Sequence, residues 1–168
     1  MGRSQIADPD RERPPLLQGL PVFDRVAGAE GHKAAARQGL PSVALPFELR
    51  ARSRLRVRLS DGREIAIVLP RGSVLRGGAV IGNGHEWATV QAADEDLVEV
   101  EAADMHQLAR LAYHLGNRHV PVELAPRSLL LGYDPVLVDM LVGLGARLRR
   151  FWGPFEPEVG AYGHGHGH

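Results

Sequence analysis

The sequence predicts an α+β protein with two domains, and two patterns lead to this prediction. Before residue 60, arginine and mostly apolar residues alternate at period two, which is typical of a β-strand. After residue 93, two helix-period patterns lie between strand-like runs. We therefore expect a small all-β domain over residues 16–93 and an α+β domain over residues 94–152. Residues 1–15 and 153–168 are expected to be a disordered extension and a flexible tail rich in glycine and histidine.

The clearest strand of the first domain has an arginine at every second position from Arg50 to Arg58. This spacing predicts one basic face and one mostly apolar face. Asp61-Gly62 predicts a two-residue hairpin turn, and residues 64–69 form the return strand. Two interpretations of the basic face stay open. It is either a docking surface for an acidic partner or phosphate backbone, or a solvated face that discourages edge-to-edge pairing.

The second domain alternates strand and helix patterns. Asp104 is suited to cap a helix that Gly116 is expected to end, and Asp134 with Pro135 predicts the start of a second helix. Strand patterns cover residues 97–101, 120–124, 128–131 and 148–152. The resulting order, β-α-β-β-α-β, is the ferredoxin-like arrangement, a four-stranded antiparallel sheet with two helices on one face.

Composition excludes several classes of function. The chain has 168 residues, with Lys+Arg 20 balanced by Asp+Glu 20, so we expect no general attraction to nucleic acid. With Cys 0 there is no disulfide, thiolate nucleophile or thiolate metal site. Any metal must be held by imidazole and oxygen, which suits nickel, copper or zinc. No apolar run is long enough for a membrane span or signal peptide, so we expect a cytosolic protein without membrane contact.

Histidines supply the candidate metal ligands. His114 falls on the polar flank of the predicted first helix, and His119 lies just past its end, where unpaired carbonyls and the helix dipole favour a cation. A solvent-exposed loop histidine is the competing interpretation of His119. One chain alone offers too few ligands there, but a twofold homodimer presents each histidine twice. Such a site would be open and exchangeable.

Three more histidines alternate with glycine at the end of the chain, at His164, His166 and His168. Glycine lets imidazoles at this spacing converge on one ion with little steric resistance. Their binding of metal should weaken as pH falls through roughly 6, because the ligating form of imidazole is neutral. An engineered tag is the alternative, although tags are usually uninterrupted histidine runs.

Several segments resemble the UreE-type urease accessory proteins, which are nickel metallochaperones. The most specific are His-Leu-Gly-Asn-Arg-His at 114–119, followed by Val-Pro, and Pro-Phe-Glu-Pro-Glu at 154–158. Leu-Pro-Arg-Gly at 69–72 and Leu-Arg-Gly-Gly at 75–78 also match. The resemblance runs from about Val43 to the end of the chain. It implies a β-rich N-terminal domain that binds a peptide or partner protein, and a ferredoxin-like metal domain that dimerises.

The resemblance also implies roles for individual residues. His119 corresponds to a nickel ligand contributed by both protomers, and the tail histidines add capacity or help to hand over metal. His114 matches a further histidine of the family. Some relatives carry extra histidines where this chain has residues 132–135, Gly-Tyr-Asp-Pro, so an auxiliary site is not expected there.

The function implied by the resemblance is that of a chaperone without a catalytic step. It would bind Ni(II) as cargo and deliver it to apo-urease through the urease accessory GTPase and the maturation complex. Zn(II) or Cu(II) could bind the same histidines, so a general zinc or copper buffer with a protein-interaction domain is the alternative. A metal-dependent hydrolase is disfavoured, because the sequence has neither His-Glu-x-x-His nor a clustered Asp/His set.

Overall fold

A computed structural model describes residues 14–27 and 39–159. These residues divide into two compact units. The first unit contains residues 14–27, 39–44 and 51–91, and the second contains residues 45–50 and 92–159. Sheets and a few helices make up the structure, so the predicted α+β class is confirmed. No helix of the described residues is long and apolar enough to cross a membrane.

The first unit is built from short strands in two sheets. A 3-10 turn at Pro15–Leu17 comes first. The strands are β1 Val22–Phe23, β2 Arg25–Val26, β3 Ser42–Leu45, β4 Arg54–Arg58, β5 Glu64–Val68, β6 Val80–Gly82 and β7 Trp87–Ala92. One sheet has the order β1-β5-β4 and the other β2-β6-β7-β3. Phe23, Ile65, Ile67 and Ile81 are fully buried in this unit.

The hairpin between β4 and β5 differs in detail from the prediction. The Leu59 N–H donates to Arg63 O at 2.8 Å, so the loop holds three residues rather than two. Gly62 closes the loop with a φ of +87°, a conformation that glycine adopts without steric cost. The predicted strand also begins too early. β4 starts at Arg54, whereas Arg50 ends a short helix, α1 (Phe47–Arg50).

The second unit carries the helix and strand order that the sequence indicates. Its further elements are β8 Asp94–Glu101, α2 Met105–Gly116, β9 Glu123–Leu124, β10 Ser128–Gly132, α3 Pro135–Gly143 and β11 Arg147–Pro154. The sheet order is β11-β8-β10-β9, with every neighbouring pair antiparallel. One apolar core joins this sheet to the two longer helices; its buried members are Val98, Val100, Leu111, Leu115, Leu129, Leu131 and Leu141.

The central strand pair is longer than predicted because its charges are compensated across the pair. The acidic residues 94–96 lie within β8, and β11 runs on through Gly153 and Pro154. Arg150 Nη2 lies 2.5 Å from Asp96 Oδ2, and this pairing holds the pKa of the aspartate below its usual value. In contrast, β9 covers only Glu123 and Leu124 of the predicted strand at 120–124, and Pro121 has no N–H for a ladder.

Glu99 lies at the middle of β8 and should make the stability of the second unit sensitive to acid. The Arg149 guanidinium, 2.5 Å away, lowers the pKa of this carboxyl, and the Ser128 hydroxyl lowers it further. A carboxylate with a lowered folded pKa stabilises the protein above its unfolded pKa of about 4.3, and this stabilisation is lost as pH falls through the folded pKa.

We therefore expect Glu99→Gln to flatten the pH dependence of stability. The urea midpoint of the unsubstituted protein should exceed that of the variant at pH 6, and the difference should shrink by pH 3. Urea titrations at both pH values measure this. A difference that stays constant between the two pH values would contradict the role of Glu99.

Arg50 is the largest fully buried side chain of the second unit, and its exposed fraction is 0%. Its Nε donates to Leu45 O at 3.0 Å, its Nη1 lies 3.0 Å from Glu156 Oε1, and its Nη2 donates to Phe155 O. The same segment is fastened by the edge-on contact of the Phe47 and Phe155 rings, whose centroids lie 5.9 Å apart. Arg50 thus ties α1 to Phe155 and Glu156, at the start of the stretch 153–168 that the sequence predicts to be a flexible tail.

Candidate metal centre

Helix α2 begins and ends at the predicted residues, but the chain beyond it forms a cap that was not predicted. The Asp104 carboxylate accepts a hydrogen bond from Gln107 N at 2.8 Å, which confirms it as the N-cap. The predicted end of the helix at Gly116 is confirmed. Gly116 is the last helical residue, and the chain keeps turning through Asn117 and Arg118.

His119 is the residue that ends the turn. Its φ is +53°, and no other described residue except glycine has a positive φ. The His119 N–H donates to Gly116 O at 3.0 Å, and the Val120 N–H reaches Leu115 O at 3.5 Å. These two bonds are the 5→2 and 6→1 pair of a Schellman cap, whose left-handed position is usually glycine. His119 therefore has a backbone conformation that is unfavourable for any residue with a side chain.

The carbonyls at the end of α2 are not free, in contrast to what we expected. Tyr113 O, Leu115 O and Gly116 O accept hydrogen bonds from backbone N–H groups of the loop. His114 O accepts one from the Arg118 guanidinium at 3.0 Å. A cation at this end would therefore meet the helix dipole and an imidazole, but not these carbonyls. The His119 side chain is exposed and projects from this closed cap.

His114 occupies a different environment one turn earlier. Its side chain is half-buried, and its ring meets the Tyr113 ring edge-on with centroids 5.6 Å apart. Within residues 14–27 and 39–159, no three side chains of histidine, aspartate or glutamate converge into a group that could hold a metal ion. His164, His166 and His168 lie outside the described residues. The described part of one chain therefore supplies single imidazoles rather than a closed site.

The last described residues run beside the strand that follows His119. Glu158 N donates to Val122 O at 2.9 Å, which fixes the point where the tail begins. Val159 then lines an apolar hollow of about 240 Å³ together with Ala112, Gly116 and Val120. The start of the tail thus lies close in the fold to the loop that carries His119.

Comparison with known proteins gives two adjoining matches. A model of the UreE urease accessory protein N-terminal domain matches residues 23–103, and one of the C-terminal domain matches residues 95–168. The chain is 47% identical over 150 residues to the urease accessory protein UreE of Ralstonia nicotianae, which covers 89% of this chain and 71% of that relative. This chain belongs to the UreE family.

Two further UreE proteins are identical to this chain at about half of the matched positions. The Cupriavidus pinatubonensis protein is 50% identical over 148 residues, covering 87% of this chain and 67% of the relative. The Cupriavidus necator protein is 54% identical over 129 residues, covering 76% and 67%. The predicted resemblance of this chain to the UreE family is therefore confirmed.

Two features of the UreE second unit escaped the sequence analysis. The first is the burial of Arg50. It was not predicted because Arg50 begins a series of arginines at alternate positions, which indicated an exposed strand face. The second is the left-handed cap at His119. It was not predicted because this position is usually glycine, and Gly116 is the glycine nearest to the end of the helix. Pro121 was not a precise signal for the cap, because proline is common one or two residues after a C-cap and Pro121 lies further than that from Arg118 and Gly116.

Proposed function

We propose that this protein is a cytoplasmic nickel metallochaperone without catalytic activity. It binds Ni(II) as cargo and delivers it to apo-urease during assembly of the urease metal centre. Membership of a family of urease accessory proteins supports the role in urease maturation. The observation that carries the choice of ligand is His119, an exposed imidazole on a hydrogen-bonded helix cap whose backbone conformation disfavours any side chain.

In this proposal the metal site lies on the twofold axis of a homodimer. Each protomer contributes its His119, because one chain offers no closed ligand set in its described part. The domain that dimerises and binds metal corresponds to residues 94–152. Its β-α-β-β-α-β order and its sheet order β11-β8-β10-β9 support the ferredoxin-like assignment. Residues 16–93 form the domain that binds a peptide or partner protein.

Such a site suits transfer rather than storage. Two imidazoles leave most coordination positions of Ni(II) to water or to a receiving protein, so the ion can exchange readily. His114, His164, His166 and His168 serve as auxiliary ligands that capture the ion or help to release it. The start of the tail at Glu158, bonded to Val122, is consistent with this auxiliary role. The urease accessory GTPase and the maturation complex are the proposed recipients.

A zinc or copper buffer is the second candidate, because imidazole nitrogen also binds these ions and copper exceeds nickel in affinity. Two observations separate the candidates. The first is which metal accompanies the protein when it is isolated from cells grown with all three metals. The second is whether urease remains inactive in cells that lack the protein and recovers when nickel is supplied in excess.

Nickel titration by calorimetry tests the ligand assignment, with the oligomer mass measured in parallel. Three proteins are compared, namely the full chain, a chain ending at Tyr162, and His119→Ala. The full chain and the shortened chain should share a tight site with one ion per dimer. His119→Ala should lack this site and keep only the weaker binding of the tail. Loss of the tight site in the shortened chain alone would contradict the assignment of His119.

A further inference from the structure

β4 is an edge strand of the first unit. It lies at one end of the sheet β1-β5-β4, and no described strand pairs with the other side of residues 54–58. Just beyond β4, Ser60 N–H donates to Ser42 O of β3 at 2.8 Å, so the open stretch ends at Arg58. Leu59 N–H donates to Arg63 O, and Leu69 N–H donates to Ser53 O. In an antiparallel pair, residues whose N–H and C=O groups bond to the partner strand alternate with residues whose N–H and C=O groups point away from it. The odd-numbered residues of β4 therefore bond to β5, and the even-numbered ones direct their N–H and C=O groups outward.

The outward-facing residues are the three arginines of the strand, Arg54, Arg56 and Arg58. Each opposes a residue of β5, in the register Arg54 to Val68, Arg56 to Ala66 and Arg58 to Glu64. Glu64 is the carboxylate paired with this row: its oxygens lie 2.6 Å from Arg56 Nη2 and 3.4 Å from Arg58 Nη2. Arg56 and Arg58 thus share one carboxylate, and the row of three arginines keeps an excess of positive charge.

We propose that the outer edge of β4 is a docking site for an extended acidic segment of a partner protein. The segment adds to the sheet as a further strand, and its backbone bonds to the outward N–H and C=O groups. Carboxylates at every second residue then lie opposite Arg54, Arg56 and Arg58, because side chains on one face of a strand repeat every two residues. Backbone hydrogen bonds to β4 hold the segment as a strand, and the arginines favour segments that carry negative charge.

The same geometry disfavours other occupants. A second copy of β4 would place arginine opposite arginine, and like charges directly opposite each other destabilise a sheet. A phosphate surface would satisfy the guanidinium groups but offer no N–H donors to the outward carbonyls. The chain itself has acidic residues at alternate positions, Asp8, Asp10 and Glu12, which lie outside the described residues. That stretch is the competing occupant, and the experiment includes it.

This site does not depend on the nickel site, since β4 belongs to the first unit and His119 to the second. The test uses the full chain and a fluorescein-labelled peptide of sequence Glu-Val-Glu-Thr-Glu-Val-Glu, with binding followed by anisotropy. A peptide with lysine in place of glutamate is the charge control. We expect the acidic peptide to bind and the lysine peptide to show no binding at the same concentrations.

Variants of the protein locate the site. Arg54→Glu should weaken binding of the acidic peptide by about tenfold or more, because it reverses one of three aligned charges. Arg71→Glu makes the same charge change at an exposed turn residue of the first unit and should alter binding less than about twofold. If Arg54→Glu fails to fold, Arg54→Gln is used instead, which removes the charge of Arg54 without reversing it. Equal weakening by the Arg54 and Arg71 variants would overturn the proposal in favour of diffuse charge attraction.

Methylation of peptide nitrogens tests strand pairing itself. Alternate N–H groups of an added strand face β4, so methylating one alternate set should abolish binding and methylating the other should not. Hydrogen exchange of the Arg56 and Arg58 amides should slow in the complex. Equal binding of the two methylated peptides would overturn the proposal. So would a tenfold gain in affinity on deleting residues 1–13, which would assign the edge to the chain's own acidic stretch.

Discussion

Arg50→Ala is expected to lower the free energy of unfolding by about 3–5 kcal/mol, the range seen when one partner of a buried ion pair is removed. The guanidinium has no exposed surface and donates to two backbone carbonyls and one carboxylate. Truncation would leave Phe155 O without this donor, whereas Leu45 O would keep the hydrogen bond from Ala93 N–H at 3.0 Å. A buried group left unsatisfied costs roughly 1–3 kcal/mol. The partial exposure of Glu156 places the expected loss toward the lower end of that range.

Urea unfolding followed by fluorescence measures this loss. The chain has one tryptophan in each unit, Trp87 and Trp152, so a Trp87→Phe background reports on the second unit alone. Arg127→Ala is the matched control, because Arg127 is an exposed arginine of the same unit. It should change stability by less than about 0.5 kcal/mol.

Arg50→Lys distinguishes the shape of the guanidinium from its charge. Lysine keeps the positive charge but lacks the planar fork that reaches three acceptors at once, so this variant should also be clearly destabilised. Unchanged stability in Arg50→Ala would mean that α1 is not fastened by this side chain. Full recovery in Arg50→Lys would mean that charge alone accounts for the effect.

The arginine series shows where sequence periodicity works and where it fails. From Arg54 to Arg58 the alternation predicts the strand, because every even residue faces solvent and every odd residue faces the core or the paired strand. The same alternation does not extend back to Arg50. Proline at position 46 disfavours a helical conformation in the residue before it, but proline is common at the start of a helix. Helix α1 begins directly after it, at Phe47. Two of the three acceptors of Arg50 lie 105 and 106 residues away, where no local pattern can reveal them.

The second unit was predicted more fully, because its signals are local. Asp104 and Asp134 cap the two longer helices with their own carboxylates, as their position before an apolar periodic run indicates. The ends of the strands were predicted less well. They depend on cross-strand ion pairs such as Asp96 with Arg150, which join residues 54 positions apart. At the candidate metal centre the sequence identified His119, but not the left-handed backbone that presents it.

Replacing His119 with glycine is expected to improve stability and remove the proposed nickel site at once. Glycine adopts a positive φ without the steric cost of about 1–2 kcal/mol that a side chain incurs there. Because glycine also loses more backbone entropy on folding, the net gain should be about 0.5–1 kcal/mol. His119→Ala keeps the steric cost and should bring no such gain. Both variants should weaken the tight nickel site by about a hundredfold or more, equal to about 2.7 kcal/mol.

Thermal unfolding without metal and nickel titration on the same samples measure the two effects. His106→Ala is the control, because His106 is an exposed histidine on α2 and should leave nickel affinity within about twofold. Backbone strain at the proposed ligand position is explained if the His119 side chain serves a function at a cost in stability. A His119→Gly variant with higher stability and lower nickel affinity would support this explanation. If His119→Gly were less stable than His119→Ala, the imidazole would have a structural role, and the left-handed cap would no longer point to metal binding.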